Sequence, residues 1–249
     1  MGAVVLGHMP LALIVLPFVP TPSVVSMPYL AVGILLHVGY QLFLLKSYEA
    51  GDLTQIYPIA RGSAPLLVAL VSVTILGVQL EPIQTLAIMR IGWGILSLAL
   101  VRQADGQRNS NAAMLALTTG IFVASYLLID GLGARIAETS LGFYSWLTIG
   151  NGTIMAAYLA YVSPTTLKTI ATKGRVVFLF GEGASFIAYA IVTWAFAQAP
   201  IPLITALREI SIIFALLIGV FFLKERLNLI KVFSTFTTLV GVALLRFAK

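Results

Sequence analysis

Residues 141–162 contain no charged side chain, and runs of similar apolar character recur along most of the chain. A helix needs about 20 mostly apolar residues to cross the roughly 30 Å hydrocarbon core of a bilayer, rising about 1.5 Å per residue. In lipid only helices and closed barrels satisfy every backbone group, and these runs lack the period-two alternation of barrel strands. The chain therefore reads as all-α, a polytopic transmembrane bundle of about nine helices. The spans fall at residues 3–19, 28–47, 53–76, 83–101, 113–130, 141–162, 176–197, 201–223 and 229–247. The first is short and interrupted by Pro10 and Pro17. It lacks a charged leader region or a convincing cleavage site before Pro20, so it reads as a span and not a signal peptide.

Composition excludes the soluble alternatives. Of the 249 residues, 59% are hydrophobic and 10% charged, against roughly 25% charged in soluble domains. The surplus apolar surface needs hydrocarbon as its solvent, which makes the lipid bilayer the first partner. The formal charge of +6 does not mark a nucleic-acid binder, because basic residues are scattered between apolar runs without a dense cluster. The absence of cysteine excludes disulfides, Cys-ligated zinc and a thiol nucleophile. Two histidines, His8 and His37, are too few and too separated for a His-based metal site, and no cofactor or metal is expected. Zinc-protease, serine-hydrolase and phosphate-loop motifs are missing, so an enzyme is not expected. Asn151-Gly152-Thr153 matches a glycosylation sequon but falls inside a span.

A shift of 147 residues aligns the chain with itself. Ala50 falls on Ala197, Arg61 on Arg208, Leu70 on Leu217, Leu80 on Leu227, Gly94 on Gly241 and Leu98 on Leu245. Apolar matches are cheap in such a chain; the arginine pair is not. Residues 102–111, the most hydrophilic stretch, read as a linker between a first repeat at 1–101 and a second at 112–249. The second repeat has five spans and the first four, so the first reads as incomplete, either through loss of a helix or because the true start lies upstream. An odd number of spans per repeat places the halves in opposite orientations, as in carriers whose site lies near the midplane.

The segment Tyr57-Pro58-Ile59-Ala60-Arg61-Gly62-Ser63-Ala64-Pro65 resembles the start of the fourth helix of the drug/metabolite transporter superfamily in its EamA-type form. Phe222-Leu223-Lys224-Glu225-Arg226-Leu227, with Leu239-Val240-Gly241-Val242 after it, resembles the turn into that family's last helix. The likeness spans nearly the whole chain at the level of pattern. It implies two inverted five-helix repeats around a central cavity, and a solute carrier that is often an exporter. The family's first helix has no counterpart here, and Val78 stands where the second half has Glu225. That favours a structural role in the turn for the acid.

Ionisable groups inside spans are expensive and face a bundle interior or a wet cavity. Arg61 and Arg208 lie roughly 10–12 Å into their helices. As a functional pair they would clamp an anionic or carbonyl-bearing solute, since the guanidinium fork binds carboxylate in bidentate fashion; the plainer alternative is buried structural pairing. Glu209 follows Arg208 directly, points about 100° away and needs its own partner. Glu209 and Glu182 are candidates for proton coupling, with a bundle-locking salt bridge as the alternative. His37, Tyr40 and Gln41 form one helical stripe that reads equally as cavity lining or interhelical bonding. Tyr57 joins the candidate lining through the family motif. Pro58 and Pro65 are placed to loosen the helix at Arg61. Arg90 reads as snorkelling, and Tyr48, Trp146, Tyr161 and Trp194 as interface or packing aromatics.

Nine Lys and Arg near span ends, Lys46, Arg102 and Lys173 among them, share one face against Arg135, Arg246 and Lys249 on the other. That bias places the C-terminus outside, whereas the resemblance implies the opposite, and the orientation stays open. The leading reading is a secondary transporter, an exporter or exchanger, moving a small polar or amphipathic metabolite by alternating access, with protons as candidate coupling ion. It would sit in the inner membrane of a bacterium. A membrane-embedded enzyme or a non-transporting assembly protein is the other reading.

Overall fold

The computed structural model describes residues 2–50, 53–97, 110–165 and 181–211, with helical residues at 214, 233, 236, 237, 239–241, 243 and 244. The rest of the linker, the 168–175 basic stretch and most of 212–249 lie outside the described residues, and with them much of the last two expected spans. Every regular element among the described residues is helical: α1 (Gly2–Val15), α2 (Met27–Ala50), α3 (Leu53–Thr74), α4 (Pro82–Leu96), α5 (Ser110–Ile136), α6 (Ser140–Val162), α7 (Glu182–Gln198) and α8 (Ile201–Arg208).

Local chemistry sets the ends. Pro17 converts the end of the first run into a 3-10 turn at Leu16–Phe18. Gly77 adopts φ +66° after α3, and α4 then starts with Pro82 while Gln84 Oε1 accepts from the Glu81 amide at 3.1 Å. Thr139 caps α6, its hydroxyl accepting from the Gly142 amide at 3.1 Å. The largest departure from the sequence-based spans is α5, which continues six residues past Asp130 to Ile136. The expected run ends at Asp130; the helix passes through it, and that carboxylate is buried and bonded.

The chain forms two compact units: Met1–Gln41 with Leu128–Gln198, and Leu42–Leu127 with Ala199–Lys249. In unit one, α1 packs on α6 and α7, and α6 on α7. Its core includes Phe143, Leu147, Ala134 and Ala137 under Tyr29, Leu30 and Ile34, and a second cluster of Ala12, Tyr144 and Phe186. In unit two, α3 packs on α4 and α8, around Ile88, Ile91, Ile95 and Ala206. Each unit draws on both sides of the linker. A shift of 147 carries α1 onto 149–162, within the α6 it packs against, and α3 onto 200–221, the segment that opens with α8, its own neighbour.

The distribution of polarity is inverted relative to a water-soluble protein. Phe18, Leu35, Ile121, Ile187 and Ile191 are exposed, while Gln41, Asp130, Asn151, Glu182, Thr193 and Glu209 are buried. Hydroxyls inside the spans bond their own helix: Thr118 to the Met114 carbonyl, Ser125 to Ile121, Ser145 to Leu141, Thr153 to Ile149 and Thr193 to Tyr189, all at 2.7–3.0 Å. This is how polar side chains are satisfied where no water reaches. The chain is an integral membrane protein.

Candidate functional site

In unit one, two carboxylates and two histidines converge from four helices. Asp130 on α5 is fully buried. Its Oδ2 accepts from the Tyr189 hydroxyl of α7 at 2.7 Å and from His37 Nε2 of α2 at 2.8 Å. When Asp130 is ionised it can only accept, and His37 then presents its Nε2 proton there. Asp130 Oδ1 has no hydrogen-bond partner among the described residues. Glu182, at the start of α7, is also buried. Its Oε2 lies 3.3 Å from Nε2 of His8 on α1, and neither atom is in hydrogen-bonding geometry.

Aromatic rings bridge the two acid–histidine pairs. The Tyr144 hydroxyl of α6 lies 3.4 Å from His8 Nδ1, and its ring sits 5.2 Å from that of Tyr189. His37 meets Tyr40 and Tyr189 edge-on, with centroids 5.8 and 6.0 Å apart. Beside them, Gln41 Nε2 donates to Asn151 Oδ1 at 3.1 Å, both residues buried.

Two glycines open the space. A Cβ on Gly33 would stand 2.9 Å from Asp130 Oδ1, and one on Gly7 would overlap the Glu182 side chain. Each glycine shares a helix with the histidine facing its acid, so each pair needs both residues on the same stretch of α1 or α2. Among the described residues of unit one, Arg135 is the one Lys or Arg, and its Nε donates to the Phe196 carbonyl at 2.9 Å. Among the described residues, Asp130 and Glu182 are thus faced by histidines and not by Lys or Arg. Buried carboxylates without a fixed counter-ion attract cations strongly, because low-dielectric surroundings screen little. No group of three or more His, Asp or Glu among the described residues is arranged to hold a metal ion. The arrangement suits contact with a hydrated ion through one or two carboxylates, and it is not a closed cage.

Unit two holds a different polar centre. Arg61 Nε on α3 donates to Glu209 Oε2 at 3.3 Å, and Nη2 to the Ser211 hydroxyl at 3.4 Å. Glu209 is buried; Arg208, the last residue of α8, is half-buried. The helical ladder stops there: the amides of Glu209 and Ile210 bond back only three residues, to Ala206 and Leu207, each at 3.1 Å. Sequence placed such a loosening in α3 at Pro58 and Pro65. Instead α3 is continuous from Leu53 to Thr74, and the break lies in the matching segment of the second half.

Of the residues singled out from sequence, His37, Tyr40, Gln41 and Glu182 belong to unit one, and Arg61, Arg208 and Glu209 to unit two. Tyr57 lies in α3, and its side chain is outside the described residues. Arg90 is exposed, as snorkelling requires. Sequence reasoning passed over Asp130, His8, Tyr144, Tyr189 and Asn151. Asp130 carried a usable signal, a lone acid after seventeen uncharged residues of its run; the aromatic partners carried none.

A groove of about 830 Å³ also opens in unit one where α5 ends and α6 begins. Arg135, Glu138, Thr139 and Gln198 line it together with an apolar wall from α7, and Arg135 bonds the Phe196 carbonyl near that helix's C-terminal end.

Residues 109–248 match the family model described as magnesium transporter NIPA. No curated protein matches the chain. A solved structure, described only as a crystal structure of protein, is similar with a TM-score of 0.70 at 16% identity, covering 100% of this chain and 86% of that one. That likeness concerns the fold alone.

Proposed function

This chain belongs to the magnesium transporter NIPA family, and we infer that it carries a hydrated divalent cation across the membrane by alternating access, through the polar interior of unit one. Membership in that family makes it a membrane transporter; the cargo and the mechanism are our reading. The observation that carries it is the pair Asp130 and Glu182. Both are buried within apolar spans, both have an oxygen without a hydrogen-bond donor among the described residues, and both are faced by histidines. Both also lie in the stretch that matches the family model. Magnesium keeps several waters and binds through one or two carboxylates, which fits separated acids better than a cage does.

An inverted repeat supports alternating access: two copies of one fold in opposite orientations can exchange conformations, and each outward state then has an inward mirror image. The packing of α1 on α6 and of α3 on α8, each pair 147 residues apart, favours that arrangement. A small polar or amphipathic metabolite is the second reading, favoured by Arg61 and Arg208 at matched positions of the two halves, Arg208 at the break after α8.

Purified protein in liposomes containing a magnesium-sensitive dye tests the proposal. Saturable magnesium entry is expected, and Asp130→Asn and Glu182→Gln should each reduce it at least about ten-fold, the cost of losing one charge-assisted contact. Both variants should still melt cooperatively. Magnesium entry that is indifferent to both substitutions would remove the two acids from the pathway.

A further inference from the structure

We propose that the groove at the α5–α6 turn binds one phospholipid with an amine-bearing zwitterionic headgroup, its phosphate at Arg135, its ammonium at Glu138 and an acyl chain along α7. This stands apart from the transported solute.

The wall has the shape of a chain-binding surface. Phe186, Ile187, Ala190, Ile191, Trp194 and Gln198 all line the groove, and their spacing places them on one face of α7. At about 1.5 Å per residue the face extends ~18 Å, close to the half-thickness of a roughly 30 Å hydrocarbon core. Ile187, Ile191 and Trp194 are 58–59% exposed, so the surface is accessible to a chain. The volume of about 830 Å³ lies in the range that encloses a single small molecule.

The polar end has a matching composition. Arg135 sits in the last turn of α5 and Glu138 two residues beyond it. The Arg135 Nε–H bonds the Phe196 carbonyl at 2.9 Å, which anchors the guanidinium beside the groove. Glu138 adopts φ 63°, the left-handed region, and is the one non-glycine among the described residues to do so. Glycine or asparagine would occupy that conformation at lower cost. A carboxylate held there by a strained backbone points to a use for its charge. A cation and an anion at the head of an apolar track complement a phosphate and an ammonium, whereas a purely anionic headgroup would bring its negative charge to Glu138. Trp194 on the wall is the kind of aromatic that settles at a membrane interface.

Trp194 also supplies the measurement. With Trp93→Phe and Trp146→Phe in place, its fluorescence alone reports contact with lipids brominated in their acyl chains, titrated into the protein in mild detergent. Brominated phosphatidylethanolamine should quench at about five-fold lower mole fraction than brominated phosphatidylglycerol, as one headgroup contact near a membrane surface implies. Arg135→Gln and Glu138→Gln should each abolish that preference. Glu138→Gly relieves the backbone and should keep or raise the melting temperature while losing the preference, which separates lipid recognition from a role in folding. Equal quenching by the two lipids in the parent, a preference for phosphatidylglycerol, or a preference that survives both glutamine variants would overturn the proposal.

Discussion

His37 and Asp130, 93 residues apart in sequence, meet with Nε2 and Oδ2 separated by 2.8 Å, and this contact ties α2 to α5 inside unit one. Tyr189 donates to the same oxygen at 2.7 Å. The carboxylate is fully buried, so whatever removes a donor leaves charge in a medium that does not solvate it.

His37→Ala should therefore destabilise the protein by about 1–3 kcal/mol, the cost of an unsatisfied buried acceptor. The double variant His37→Ala/Asp130→Ala should recover part of that loss. Thermal unfolding in detergent checks both. An equal or greater loss in the double variant would mean that the contact is incidental.

The glycines predict opposite outcomes for the same added methyl group. At Gly7 a Cβ overlaps the Glu182 side chain, whereas at Gly183 nothing stands within 4 Å. Gly7→Ala should cost about 1–3 kcal/mol through overpacking and reduce magnesium entry by displacing Glu182. Gly183→Ala should melt at or above the parent temperature, since alanine is the better helix former. Equal melting temperatures for the two variants would contradict the close approach of α1 to α7.

Arg61 and Glu209 form a pair in which the acid is buried and the guanidinium partly exposed, at 4% and 22% side-chain exposure. Breaking such a pair leaves an uncompensated charge, and removing both partners does not. Arg61→Ala should lower stability more than Arg61→Ala/Glu209→Ala does. The comparison is a double-mutant cycle on unfolding midpoints, and additive losses would show that the two side chains do not couple.

A wet pathway can be distinguished from a dry scaffold along α2. The protein has no native cysteine, so single cysteines can be placed cleanly. Leu35 is 64% exposed in an apolar span and should face lipid, so a cysteine there should resist a charged thiol reagent. A cysteine at Tyr40, beside His37, should react, and magnesium should slow the reaction. If both positions are inert, the interior of unit one carries no aqueous path.

The long apolar runs made the helical class legible without coordinates, because hydrocarbon thickness fixes both length and character. Seven of the described helices start within three residues of the expected positions. The site was legible only in part. His37, Tyr40 and Gln41 lay on one stripe at helical spacing, and Glu182 was a lone acid near the start of a run. The expected span ends at Asp130, whereas the helix continues to Ile136 with the carboxylate bonded by the hydroxyl of Tyr189 and the ring of His37, and both partners arrive from distant segments. His8 looked isolated for the same reason, since its partner is 174 residues away. Partners brought together by tertiary packing leave no periodic trace.

The hydroxyls of Thr118, Ser125, Ser145, Thr153 and Thr193 close on carbonyls of their own helices. Helices that satisfy themselves in this way present neighbours with dispersion contacts worth only about 0.1–0.2 kcal/mol per atom pair, and these re-form after a slip of a few ångströms. Resistance to sliding is then concentrated at a few polar catches, chiefly His37 on Asp130, Gln41 on Asn151 and Arg61 on Glu209. Among its described residues a bundle made this way is smooth over most of its contacts and latched at a few, so the rate of any rocking motion should be set by how quickly those latches release.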